Sequence, residues 1–510
     1  MWRNLHFFLS ALVILTTNAT SPCAEPDAVK LALDINRHID NQLKSQHIAK
    51  ASQADDAEFV RRIHLDLHGM IPTYGETTRF LADKNPERRS KLISELIADK
   101  RYGEYLGDIW QGYLISPLAD DRRKRADMLR KWLAEQFNQN SWNQIVTELV
   151  TATGKIEHNP AVIYLVEGRN LRTVQDLTDL ASRYFLGVRL SCAQCHDHPF
   201  VAWKQQEFWG MAAFFSQIQT PGKSKVVYQV GVRDNPEITL ESLKDGTTDG
   251  FMSIQPTFLG GETRVSDSSI PNRVALAKWM TSEKNPYFAK AMVNRTWWRL
   301  FGRGLVNPVD DMHPANAPSH PELLDFLAKR FVESGFDHKF ITKAMLLSEA
   351  YQRTSKPGND PEKQIAIFGR MPLKVLAGGQ LYDSLVTILG EPVRKAGVQS
   401  DARSEFIQFF TDDGEPNTTS YRRGIPHLLR QMNSEQFARN ISSLSLVTFG
   451  QGRSADEVAS ELFLKVLSRK PSAVELNIFR ESVAHSSSLE ASTRELAWAL
   501  LMTSEFSLNH

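Results

Sequence analysis

At 510 residues the chain is long enough for two or three domains with cores of their own, and its 60 Lys and Arg balance 59 Asp and Glu. That balance removes the broad basic field of a nucleic-acid binder, so no nucleic-acid partner is expected. Three cysteines are too few for a disulfide-stapled secreted scaffold, and no repeat of solenoid period is visible.

The chain opens on Met1-Trp2-Arg3-Asn4, which is positively charged. Residues 5–15 are apolar apart from His6 and Ser10, and residues 16–21 are small or polar. This is the pattern of a signal peptide over residues 1–21, with Ala19 at position −3 of a cleavage site after Ser21. The apolar run is too short for a stable bilayer anchor, although an uncleaved anchor is the alternative. Cys23 follows Pro22, a poor context for lipid attachment. No later segment is apolar enough to span a membrane. The mature chain is therefore expected to be exported, to the periplasm or cell surface, with no integral span after signal removal.

Residues 26–220 read as helical. Ala28, Leu31, Ala32, Ile35, Ile39 and Leu43 recur at three and four. Asp55 with Glu58 predicts a capping box, Pro86 a helix start, and Ser141 and Thr173 further N-caps. Asp66 reads as a buried partner of Arg61 or Arg62. The helix opened by Thr173 is expected to end at Gly187, a C-cap.

Directly after it stands Ser191-Cys192-Ala193-Gln194-Cys195-His196-Asp197-His198-Pro199-Phe200. Cys192, Cys195 and His196 have the C-x-x-C-H spacing of covalent haem attachment. Two thiols three positions apart reach the two vinyl groups of one porphyrin, and His196 turns its imidazole to the iron. Three readings compete with haem c. Cys192, Cys195, His196 and His198 are four donors suited to zinc or another transition metal, with Asp310 or Asp311 nearby. Cys192 and Cys195 also suit a redox disulfide. A structural turn with no cofactor is the fourth. Export favours haem or disulfide over a cytosolic zinc knuckle. A helix over 205–216 follows, rich in aromatics: Trp203, Phe208, Trp209, Phe214 and Phe215 line a haem wall or a core.

Residues 221–266 differ. Lys225 to Val232 are β-branched and partly alternating, and Gly, Pro, Asp and Thr dominate the rest, which predicts a small β-rich or irregular insert. Residues 267–510 return to helix, over 271–280 and 286–301. Ser319 with Glu322 predicts a capping box for a helix stopping at Gly335, and Ser454 with Glu457 another. The fold class is mainly α, two helical lobes with the insert between them.

Several blocks extend beyond single motifs. Leu186-Gly187-Val188-Arg189 precedes the cysteines and His198-Pro199-Phe200 follows them. Arg61 through Thr73, and Arg101-Tyr102-Gly103-Glu104-Tyr105, belong with them. Together they resemble domain of unknown function 1549, which is cytochrome-associated. The second half is similar to its companion, domain of unknown function 1553. The matching blocks are Asn294-Arg295-Thr296-Trp297, residues 301–306, Pro308-Val309-Asp310-Asp311-Met312, residues 319–324, residues 467–471, and Ser504-Glu505-Phe506. The resemblance is to exported, planctomycete-type proteins that pair the two. It implies a large exported protein, often joined to a separate N-terminal cytochrome c module, and no established reaction. No second C-x-x-C-H precedes Cys192, so any haem role rests on Cys192, Cys195 and His196.

A second axial ligand for such a haem would come from Met211, Met312, His313 or His320, with Met312 and His320 favoured. Each also reads as ordinary packing. Asp310-Asp311 suits acid–base or metal chemistry, or an ion pair with Arg295 or Arg303. No Ser/His/Asp order, Walker loop, dinucleotide fingerprint or H-E-x-x-H occurs. The function expected is that of an exported c-type-haem-like redox protein with a redox partner protein in its compartment. The alternatives are a structural protein with a disulfide clamp and a metal-dependent enzyme. Residues 294–321 are expected to pack against residues 192–200 and complete one site, with Arg295 and Arg303 serving haem propionates or an anion.

Overall fold

The first helix, α1 (Ala28–Ser45), buries the stripe read from its sequence: Ala28, Leu31, Ala32, Ile35, Ile39 and Leu43. Asp27 caps it, accepting from the Val29 and Lys30 backbone N–H groups. The computed structural model describes residues 27–115, 120–167, 170–220, 231–235, 239–243, 251–264, 270–356, 358–389, 403–404, 406–407 and 453–510. Residues 1–21, where a signal peptide is expected, Cys23, and the stretch 225–230 lie outside them.

Helices dominate. The first half holds α2 (Asp56–His68), α3 (Tyr74–Ala82), α4 (Arg88–Ala98), α5 (Lys100–Leu114), α6 (Asp120–Gln139), α7 (Trp142–Thr151), α8 (Val174–Leu180) and α9 (Gln205–Ala212). The second half holds α10 (Asn272–Met280), α11 (Phe288–Phe301), α12 (Pro321–Glu333), α13 (His338–Leu347), α14 (Glu349–Gln352), α15 (Pro361–Ala366) and α16 (Gly378–Leu389). After residue 452 come α17 (Ala455–Val466), α18 (Ala473–His485) and α19 (Leu489–Leu501). Strands are short. Gly231–Asp234 lies between Gly154–Lys155 and Ile218–Gln219. Leu240–Leu243 pairs antiparallel with Phe251–Ile254, Leu240 opposite Ile254. Lys374–Val375 pairs with Leu508–Asn509 near the end of the chain. The chain is mainly α.

One apolar core draws on both halves. Trp110 of α5 meets Trp142 of α7 at 4.4 Å between ring centroids, and Trp142 stacks on Phe288 of α11 at 6.1 Å. A second cluster joins Leu65 and Ile71 to Leu381, Leu385, Leu462, Phe463 and Phe506. Helix α2 stands between them. Ile63 and Leu67 enter the first cluster and Leu65 the second, so its polar residues are buried too.

The charged residues among them find most of their partners far away in sequence, as burial demands. Arg61 donates to the carbonyls of Val466 (3.1 Å) and Phe506 (2.8 Å). Arg62 pairs with Glu58 and donates to the carbonyls of Tyr351 (2.8 Å) and Arg353 (2.9 Å). Asp66 accepts from Lys374 Nζ (2.6 Å), Tyr351 Oη (2.8 Å) and Asn509 Nδ2 (2.8 Å). The expected pairing of Asp66 with Arg61 or Arg62 is therefore corrected. Arg62 turns back one helical turn to Glu58, and the cation left for Asp66 is Lys374.

Candidate functional site

The C-x-x-C-H loop is set by the elements on either side. Thr173 and Asp176 cap α8 reciprocally: Asp176 N donates to Thr173 Oγ1 (3.1 Å), and Thr173 N to Asp176 Oδ2 (3.3 Å). The helix widens into a π-helical turn over Ala181–Phe185 and stops at Gly187, whose φ is +70°. A side chain there would be strained, and its Cβ would lie 3.2 Å from Met312 Sδ. Leu190 and Ala193 are buried and anchor the short helical turn Ser191–Ala193.

From the far side α9 grips the loop backbone. Gln205 N donates to Asp197 Oδ1 (2.9 Å), Gln205 Nε2 to the Cys195 carbonyl (2.8 Å), and Trp209 Nε1 to the Gln194 carbonyl (3.0 Å). His198 N donates to the Trp203 carbonyl (2.8 Å). The backbone is tied while the chemistry faces out. Cys192 and Cys195 are free, exposed thiols. His196 is exposed, its Nδ1 2.7 Å from the Asp197 carbonyl oxygen. A carbonyl oxygen only accepts, so Nδ1 is the donor, and the neutral form of that tautomer has its lone pair on Nε2. His198 has the other tautomer, since its Nδ1 accepts from Phe200 N (3.2 Å). Phe200 is 86% exposed.

The remaining site residues fall in different surroundings. Asp310 is 2% exposed and bridges Arg183 Nε (2.6 Å) and Arg189 Nε and Nη2 (2.9 and 2.7 Å). Burial alone would raise its pKa, but the hydrogen bonds and charges of Arg183 and Arg189 outweigh it and leave it lowered. The arginines expected for Asp310, Arg295 and Arg303, are not its partners. Arg295 is buried with its guanidinium 5.1 Å from the ring centroids of Tyr113 and Tyr184, and it donates to the Arg183 carbonyl (3.2 Å). Its position on α11 faces an aromatic cage of Trp110, Tyr113 and Tyr184. Arg303 is exposed. Asp311 is half-buried, with Oδ2 3.6 Å from His313 Nε2.

Met312 is buried against Gly187 and donates its N–H to the Gly187 carbonyl (2.9 Å). Met211 is buried within α9. His320 is buried beside Phe368, ring centroids 5.4 Å apart, and burial lowers its pKa to about 4. It is the N-cap residue of α12, and Ser319, expected to cap, bonds the Leu305 carbonyl instead (3.2 Å). Among the described residues, no group of three or more His, Cys, Asp or Glu side chains comes together in metal-holding geometry. Of the aromatics, Phe208, Phe214 and Phe215 are buried, and Phe214 stacks on Phe258 at 4.8 Å. Trp203 and Trp209 are half-buried beside the loop.

Residues 294–321 thus meet the stretch that leads into the loop, at Arg183, Gly187 and Arg189. Sequence reasoning passed over Arg183 and Gln205, and read Trp209 only as one of the aromatics of a haem wall or core. The signal for Gln205 lay in the helix start, where Lys204 N bonds Glu207 Oε2 (2.9 Å) and fixes the first turn under the loop.

Family comparison agrees with this layout. The PSCyt2 family model, described as a protein of unknown function (DUF1549), matches residues 34–220. The PSD1 model, described as a protein of unknown function (DUF1553), matches residues 272–431. No curated protein and no solved structure gives a significant match. The first match contains the whole C-x-x-C-H loop with the helices that hold it, and the second contains Asp310 and Met312, which dock on its entry. The chain therefore belongs to the proteins that pair a DUF1549 domain with a DUF1553 domain.

Proposed function

We propose that this protein is an exported redox protein carrying a covalent c-type haem on Cys192 and Cys195. The observation that carries the reading is the presentation of the three groups. Both thiols are free and exposed on one short turn, beside an imidazole whose Nδ1 is already engaged by a carbonyl. Covalent attachment needs accessible thiols, and iron ligation by His196 needs Nε2 unprotonated with the ring orientation fixed from Nδ1. The residues present fit those requirements. Cys192 and Cys195 would hold the porphyrin and His196 Nε2 the iron, and the group would supply one-electron chemistry. The chain's own part is to keep the loop backbone rigid through Gln205 and Trp209 and to leave the attachment face open to a redox partner protein. Met211, Met312 and His320 are buried in packing of their own, so the reading assigns none of them to the iron. The charged, apolar and small-residue succession of the first 21 residues supports export, where such attachment chemistry operates. The family name PSCyt2 points the same way.

The test is expression of the full chain in a host with a c-type maturation system, followed by a pyridine haemochrome spectrum. A covalent haem band that survives denaturing electrophoresis and disappears in Cys192→Ser/Cys195→Ser is expected. No haem, with two titratable thiols or a bound metal in its place, would sink the reading.

A further inference from the structure

Two arginines one turn apart on α11, Arg295 and Arg299, face α5 across a small cleft. Tyr102 and Tyr113 of α5 and Thr342 of α13 line its other sides, and Thr296 stands between the arginines. The rest of the lining is apolar, and among the described residues it holds no carboxylate. The cleft has a volume of about 20 Å³, against the roughly 10–15 Å³ that admits one water-sized particle. A single atom or one water fits there, and a sulfate or phosphate does not.

Among the described residues, neither Arg295 nor Arg299 forms an ion pair; each donates to a backbone carbonyl, of Arg183 and of Asp66. The acids near them are already taken. Asp310 is held by Arg183 and Arg189, and the Asp66 carboxylate by Lys374, Tyr351 and Asn509. Arg299 Nε and Nη2, and the Thr296 hydroxyl, have no hydrogen-bond partner among the described residues, and none of the three is shut off from a water-sized particle. Arg295 differs: its Nε is shielded, so it acts on the cleft through its charge. Like charges four residues apart on a helix repel, and partly buried cations are costly without a partner. Those charges reach across the cleft. Burial raises the Tyr102 and Tyr113 pKa values, and Arg299, joined at Tyr113 by Arg295, works against the rise.

A water satisfies such a lining poorly, since it needs acceptors for its own hydrogens and guanidinium groups accept nothing. A cation is repelled. A monatomic anion accepts from every side and supplies the missing negative charge. We propose that this cleft binds chloride, held by Arg299 and the Thr296 hydroxyl with the positive charge of Arg295 beside them. The ion lies between α5 of the first half and α11 of the second, and its role is separate from the C-x-x-C-H loop.

Thermal melts of the full chain test this at constant ionic strength, with sodium chloride, bromide or acetate replacing sodium gluconate. Tm is expected to rise to a plateau with chloride and with bromide, as binding to the folded state alone requires, and to stay at the gluconate value in acetate. Chloride NMR linewidths report the same binding directly, as a broadening by the protein that bromide reverses. Arg299→Gln should abolish both effects. Thr296→Val, which keeps the shape and removes the hydroxyl, should weaken chloride binding about tenfold, the worth of one hydrogen bond to a charged group. If Arg299→Gln does not fold, Thr296→Val decides alone. The proposal is overturned if either the rise or the broadening is missing, if acetate acts as chloride does, or if either folded variant binds chloride as the native chain does.

Discussion

Asp310 sits 2% exposed between Arg183 and Arg189, two guanidinium groups that reach solvent at their edges. Removing its charge leaves both cations beside a buried neutral amide. Asp310→Asn is therefore expected to destabilise the fold by about 3 kcal/mol, the low end for a broken buried pair because both arginines keep some water. The pH dependence has a definite sign. The folded pKa is depressed below the ordinary aspartate value, so the contribution is fully present above about 4 and is lost as pH falls through the folded value. Urea melts of the two proteins should differ at pH 7 and converge toward pH 3. A constant difference at both pH values would contradict the ion-pair account. The pair also shows what the sequence hides. That Asp310 would hold an arginine was legible, because a buried carboxylate needs a cation. Which arginine was not, since Arg183 and Arg189 lie more than a hundred residues away and only tertiary packing brings them there.

Elements were legible where local chemistry closes on itself. The α1 stripe, the Thr173 cap on α8, the Ser454 box on α17 and the Gly187 stop all follow from spacing and side-chain reach. Two predicted boxes did not close because a distant partner captured the side chain. Glu58 binds Arg62, Thr354 and Ser355 in place of the Asp55 N–H, and Ser319 turns to Leu305. The exposed state of the C-x-x-C-H loop was likewise hidden, since its orientation depends on how α8 and α9 frame it. Gly187 is where that frame is most constrained. Gly187→Ala places a side chain at φ +70°, which costs about 1–2 kcal/mol in backbone strain, and adds a contact with Met312. Met312→Ala removes that contact and keeps both the strain and the 3.2 Å approach to Ala291 Cβ. Denaturant melts of both single variants and the double variant should show a double loss smaller than the sum. Strict additivity would mean that Met312 does not pack on this turn.

At the scale of the whole molecule the buried histidines set an acid limit. His64, His320 and His338 are each no more than 5% exposed. Burial is the leading cause that lowers their pKa values, to about 4, about 4 and about 3. Glu76 opposes the shift at His64, and Lys339 adds to it at His338. In the unfolded chain all three take up protons below about pH 6.5. The unfolded state therefore binds more protons than the folded one between pH 6.5 and 4, and stability falls as pH falls through that window. Each histidine contributes a slope of up to about 1.4 kcal/mol per pH unit, against a total stability of roughly 5–15 kcal/mol. The window is separate from that of the depressed carboxylates: Glu76, lowered to about 2 with His64 and Arg101 overcoming its burial, titrates further down. These histidines lie in helices and loops of both halves that share one core, so the loss should be cooperative and should take the loop's frame with it. Thermal melts at pH 7.5 and pH 5.0 should show a clear drop in Tm on acidification. His338→Gln, which has nothing to protonate near Tyr102, should show a smaller drop. Equal Tm values at the two pH values would mean that the histidines are not held neutral by burial.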